Sequence, residues 1–193
     1  AWKPVSMRGG PARYARVSDE GGFGTGRTLD QSANYTVESQ VPLTDPEALR
    51  SAGTDYPDRI ESRYTNVPSS TPDRVGERTA RITANADNPY DTARVIEQWL
   101  ENNREYSLDI ERPEGDIADQ FLFEMDAGYC TYFATTMATM LRSQDIPARF
   151  VVGYTTGQRV ARDEWVVRGL DAHAWVEVYF PDVGWVRFDP TPA

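Results

Sequence analysis

The chain has 193 residues, 30 of them acidic and 20 basic, for a net charge of −10. Nineteen of the bases are Arg and one is Lys, and they form no stripe able to neutralise phosphates, so nucleic acid is not an expected partner. A single Cys rules out an internal disulfide and any four-ligand Cys/His zinc set, and no apolar run approaches the 18 residues of a membrane helix, so no metal, no cofactor and no span is expected.

The acidic, lysine-poor balance is the kind carried by proteins of salt-loving organisms, in which screening relieves self-repulsion. The melting temperature is therefore expected to rise from low to molar KCl, where the screening length falls to about 3 Å, and to rise more than in matched sucrose. A melting temperature flat or falling in KCl would remove the halophilic reading.

In chain order, residues 1–33 are poorly patterned, and residues 1–30 lack the apolar stretch of a signal peptide. The run Gly21–Gly26 has neither a strand before it nor a Lys-bearing helix after it, so it reads as a flexible loop and not as a phosphate cradle. A strand is expected over 33–41, then a turn-rich connector over 42–70 with a short helix at 58–64. Two helices follow, at 72–84 and at 89–103. In the second, Asn88 is the cap and Pro89 the first residue, and Tyr90, Ala93, Ile96, Trp99 and Leu100 form one apolar face. An extended piece begins at Tyr106, and a short helix covers 117–125.

Cys130 lies in Gly128-Tyr129-Cys130-Thr131-Tyr132-Phe133-Ala134, where a turn-like stretch feeds a helix. Phe133, Ala134, Met137, Met140 and Leu141 recur at steps of three and four, which puts the thiol at the first turn of that helix. Unpaired amides there favour thiolate over thiol and can also hold an oxyanion. Strands are expected at 149–154, 164–168, 172–180 and 184–189, all in one antiparallel sheet. Helices first and strands afterwards give an α+β class.

The one His, His173, alternates with Ala172, Ala174, Val176 and Val178, so it points to the face of Trp175 and Glu177. Nucleophile, base and carboxylate in this set serve thiol-dependent acyl transfer. Three carboxylates compete for the imidazole: Asp171, Glu177 and Asp189. A hairpin through Pro181-Asp182-Val183-Gly184 that pairs Phe180 with Trp185 sets Asp189 opposite Val176, an awkward offset from His173. Periodicity alone leaves that third member open.

Four ordered blocks carry a resemblance: Gly128 to Ala134; Leu141-Arg142 through Ile146-Pro147-Ala148-Arg149 to Val152-Gly153-Tyr154; Asp171-Ala172-His173-Ala174-Trp175-Val176-Glu177-Val178; and Gly184-Trp185 to Phe188-Asp189-Pro190-Thr191. Together they resemble the microbial transglutaminase-like superfamily. The resemblance implies a papain-like core in which the helix bearing the Cys packs on an antiparallel sheet, with Cys130, His173 and Asp189 as the triad. It further implies a protein or peptide amide as substrate, an amine acceptor or water, and an oxyanion donor upstream of the thiol, for which Tyr106 joins the Cys130 amide as candidate. Of the aromatic residues able to line a cleft (Tyr129, Tyr154, Trp165, Trp175 and Trp185), Tyr129 and Trp175 are the chosen candidates.

Residues 49–68 resemble the linker of the membrane-anchored bacterial and archaeal branch. This implies residues 1–71 as lead-in, 72–193 as the catalytic domain, and display outside the cytoplasm by membrane segments absent from this chain. Two departures stand out. Thr131-Tyr132 replace a more usual acidic residue and histidine, a change expected at the substrate rim, and Asp145 stands where glycine commonly sits in a turn. The same triad also serves a cysteine protease or amidase, and a binding module without activity is the remaining alternative.

Overall fold

The computed structural model describes residues 3–17, 23–30, 32–42 and 45–192. Its contacts divide the chain into two compact units, residues 1–43 and 44–193. In the first, β1 (Lys3–Gly9) pairs antiparallel with β4 (Tyr35–Gln40), and β2 (Ala15–Val17) pairs with β3 (Phe23–Thr25). Gly24 and Thr25 thus belong to a strand and not to the expected loop, whereas Gly21 and Gly22 lie outside the described residues. Among the described residues of this unit only Pro11 is buried.

The second unit begins with α1 (Pro46–Ser51) and α2 (Asp58–Tyr64). Asp45 caps α1 by accepting the Glu47 N–H, with Pro46 at the first position, a start signal within the stretch read as connector. Leu49 from this stretch joins the main core, and Ile60 and Tyr64 are buried too. The segment 44–71 therefore folds with the unit that follows it.

Next come α3 (Asp73–Ile82), α4 (Pro89–Asn103) and α5 (Ile117–Phe123). Asn88 caps α4 by accepting the Asp91 N–H at 2.9 Å, and Ala93, Ile96 and Leu100 supply its buried face. At the centre is α6 (Cys130–Arg142), nine of whose 13 residues are buried, so it is covered on all sides and not along one stripe. Helices α3, α4 and α5 pack against it, as do strands β7 (Ala148–Tyr154) and β10 (Ala172–Phe180). Asp145 takes φ 57 just past its C-terminal end, the left-handed conformation that glycine adopts without strain.

The sheet has three antiparallel strands in the order β11-β10-β7, with β11 at Gly184–Phe188. Ala174, Val176, Val178 and Phe180 turn one face of the central strand to the core, beside Val186 and Phe188 of β11. The expected fourth strand is not in this sheet. Instead β9 (Glu164–Val166) pairs with β8 (Gln158–Ala161) in a separate hairpin in which no residue is buried, Val160 and Trp165 included. Among the described residues, no helix is long and apolar enough to cross a membrane.

The β10–β11 register differs by one from the sequence-based expectation. Phe180 pairs with Gly184 and Val176 with Phe188. The turn closes early, with the Val183 N–H on the Phe180 carbonyl at 3.2 Å, and both Asp182 (φ 61) and Gly184 (φ 93) are left-handed. A slip of one residue exchanges the two faces of a strand. Asp189 therefore continues on the face of Trp175 and His173, not that of Val176.

Candidate active site

Cys130 is the first residue of α6, and Tyr129 before it is extended (φ −107, ψ 174) with no side-chain cap, so the first-turn amides have no side-chain acceptor from the cap. The approach to the thiol is braced by a short parallel pairing of β5 (Glu105–Tyr106) with β6 (Ala127–Gly128). On this ladder the Glu105 N–H donates to the Asp126 carbonyl and the Ser107 N–H to that of Gly128, each at 2.9 Å. Only glycine fits at 128, because a Cβ there would lie 2.8 Å from the Phe121 ring and 3.0 Å from the Tyr132 Cβ.

This pairing brings Tyr106 to the thiol. Burial, and then the negative charge available to Cys130, push the Tyr106 phenol above its ordinary value, so the hydroxyl stays protonated and able to donate. Its side of the site is open, with Tyr106 48% exposed. Tyr129 sits edge-on to Tyr132 with ring centroids 4.8 Å apart. Tyr132 is only 4% exposed and also packs on Phe121, so it belongs to the core and not to the expected substrate rim.

His173 is the second residue of β10, and its Nε2 lies 2.8 Å from Asp189 Oδ2. The other two carboxylates are engaged elsewhere. Asp171 accepts the Arg168 N–H, and Glu177 accepts from the Arg149 guanidinium at 2.6 and 2.9 Å and from the Trp175 indole at 3.4 Å. Burial by itself would raise the Asp189 carboxyl, yet the hydrogen bonds from Arg187, His173 and Thr191 outweigh it and hold the group below the usual carboxylate range. An ionised carboxylate only accepts, so the proton of this pair is on Nε2 and the lone pair of the neutral ring is on Nδ1.

Two residues absent from the sequence-based candidates complete the surroundings. Arg187 Nη2 donates to Asp189 Oδ2 at 2.8 Å, and its guanidinium lies 4.6 Å from the centre of the Trp175 ring. Trp175 is thus covered by Arg187 and tied to Glu177, while its ring stacks at 27° to that of His173. Arg187 was legible in principle, since residues two apart on a strand share a face. Glu97 on α4 accepts the Asp189 N–H at 2.8 Å. Its signal was a carboxylate inside the apolar stripe Ala93, Ile96, Leu100.

The four sequence blocks thus lie on α6, β7, β10 and β11, and residues 76–190 match the family model described as the transglutaminase-like superfamily. The chain belongs to the transglutaminase-like superfamily. It is 34% identical over 201 residues to the Bacillus subtilis (strain 168) protein YebA, covering 97% of this chain and 26% of YebA. It is 33% identical over 165 residues to the protein-glutamine gamma-glutamyltransferase of Pseudomonas aeruginosa PAO1, covering 84% of this chain and 24% of that protein. It spans about a quarter of the length of these curated relatives. Among solved structures, the ethylmercury-bound periplasmic domain of TgpA from Pseudomonas aeruginosa superposes with a TM-score of 0.74 at 26% identity, covering 95% of this chain and 64% of that one. The superfamily core, a helix bearing a Cys at its start packed on an antiparallel sheet, is the one described above.

Proposed function

We propose that this chain is the catalytic part of an extracytoplasmic cysteine acyltransferase acting on protein glutamine, with Cys130 as nucleophile, His173 as base and Asp189 as the orienting carboxylate. The observation that carries the reading is the 2.8 Å bond from His173 Nε2 to Asp189, which leaves Nδ1 for the thiol, in a chain whose Cys opens the central helix. The name of the Pseudomonas aeruginosa relative supplies the acyl donor, and the periplasmic neighbour supports the location.

In this mechanism His173 Nδ1 takes the Cys130 proton as the sulfur attacks the glutamine carboxamide carbon. The carbonyl oxygen becomes an oxyanion held by the Cys130 N–H and the Tyr106 hydroxyl. Collapse expels the amide nitrogen, which leaves as ammonia after receiving the proton from the imidazolium, and a thioester remains. A primary amine then attacks the thioester, gives its proton to His173 and forms a new amide, regenerating the thiol. Water in place of the amine yields glutamate, the hydrolase outcome. Tyr129, on the residue before the nucleophile, and Trp175, next to the base, stand as walls of the donor cleft.

The test is mass spectrometry of the protein with a glutamine-peptide library, read together with ammonia release with and without a primary amine. A thioester on Cys130 and incorporation of the amine are expected. Ammonia release with no amine incorporation makes the chain an amidase. Absence of any adduct, with the thiol intact, overturns the enzyme reading and leaves a binding module.

A further inference from the structure

We propose that Glu97 of α4 is a positioning residue that sets where the Asp189 carboxylate stands, and through it the orientation of His173; the inference rests on the triad reading above. The argument begins at the end of the sheet. The last paired residue of β11 is Phe188, opposite Val176, so Asp189 lies one residue past the ladder and has no strand partner for its main chain. Pro190 follows and carries no N–H. The Asp189 N–H is therefore left without a ladder acceptor, and Glu97 Oε1 accepts it at 2.8 Å.

Glu97 is suited to act as a fixed post. It is only 5% exposed and sits among Ala93, Ile96 and Leu100 on the face of α4 turned to the core. Its second oxygen, Oε2, takes the Arg94 guanidinium, so both ends of the carboxylate are engaged. The charges around it are those of Arg94, Glu101 and Asp189. Burial pushes its carboxyl above the usual value, and the Asp189 N–H and Arg94 oppose that shift. A carboxylate kept in an apolar stripe at such a cost needs a partner that justifies it, and the bond it makes across the fold reaches the main chain of the residue facing the imidazole. The Asp189 side chain is held separately, by Arg187 on Oδ2 and by the Thr191 N–H on Oδ1 at 3.4 Å. Those bonds orient the carboxylate about a main chain whose place Glu97 sets.

The consequence runs through charge. A carboxylate facing an imidazole favours its charged form, and a charged imidazole beside a thiol favours the thiolate, so in the proposed triad displacing Asp189 is expected to weaken the coupling that the thiol reports. The experiment follows the pH dependence of Cys130 alkylation by iodoacetamide in the 193-residue chain, together with kcat and KM on a glutamine peptide. Glu97→Leu removes the acceptor; Glu97→Asp keeps the charge but falls short of the N–H; Glu97→Gln keeps an acceptor at full reach. Each is checked for folding by its thermal melt.

The Leu and Asp variants are expected to move the alkylation midpoint up toward the ordinary thiol value of about 8.5. They should also lower kcat by about 10- to 100-fold with little change in KM, as a misplacement of order 1 Å does. Glu97→Gln should restore the wild-type profile. A folded Leu or Asp variant with the wild-type midpoint overturns the proposal, and so does a Gln variant that shifts as far as Leu. Should the Leu variant fail to fold, the Asp variant carries the test alone. His173→Ala and Asp189→Ala run alongside: if these also leave the midpoint unmoved, the triad reading has failed, and if they move it while the Glu97 variants do not, only this inference has.

Discussion

Replacing His173 with Ala is expected to abolish the proposed acyl transfer, with kcat down on the order of 10⁴-fold or more, because in the proposed mechanism nucleophile and base act as one unit and losing either disables both. The same change should shift iodoacetamide modification of Cys130 up in pH, toward the ordinary thiol value of about 8.5. The sign follows from the pair. In the proposed triad Asp189, held ionised, meets the ring at Nε2, and as a general rule a cation beside a thiol favours the thiolate. Without the ring, the helix amides at Cys130 are the remaining stabilisation, worth less than a neighbouring cation. Alkylation rates measured from pH 5 to 9, with the melt as a check on folding, decide the matter. An unchanged profile in a folded variant would mean that thiol and imidazole are not coupled.

The second large effect concerns stability. Phe133→Ala should cost about 3–5 kcal/mol, the range for deleting a fully buried aromatic ring, and lower the melting temperature by roughly 10 °C for a unit of this size. Phe133 has no exposed surface, lies three residues into α6 after Cys130, and meets the Phe121 ring edge-on with centroids 4.9 Å apart. It joins α5 to α6 at the level of the thiol. Urea titration read by circular dichroism gives the free energy, and a loss under about 1 kcal/mol would show that the neighbouring side chains refill the space. Part of any activity loss in this variant would come from a looser seat for Cys130, so stability and alkylation should be measured together.

Much of the site was legible because its parts are local. The α4 boundaries, Pro89–Asn103, match the cap and proline signals, since Asn88 and Pro89 satisfy or remove the helix's orphan donors within a few residues of each other. The strand Ala172–Phe180 appears with the expected bounds because strict alternation requires one buried face. Where the strand was short it misled: Glu164–Val166 looked like a fourth strand of the sheet, but it pairs only with β8, and its Trp165 is left 47% exposed. The connector at 42–70 hid α1, whose six residues are too few for a periodic signal although its Asp-Pro start was visible.

The residue types at the site, their order and their family were determined by the sequence alone, because a thiol at a helix start and a histidine on an alternating strand are properties of short segments. The choice among Asp171, Glu177 and Asp189 was not so determined from periodicity. It turned on a one-residue register, and that register was decided by the left-handed backbone of Asp182 and Gly184 in the β10–β11 turn. The hold of Glu97 on Asp189 joins residues 92 apart in the chain. No local pattern reports such a contact, because it exists only once α4 and β11 have packed against each other and left a buried carboxylate facing an unpaired N–H.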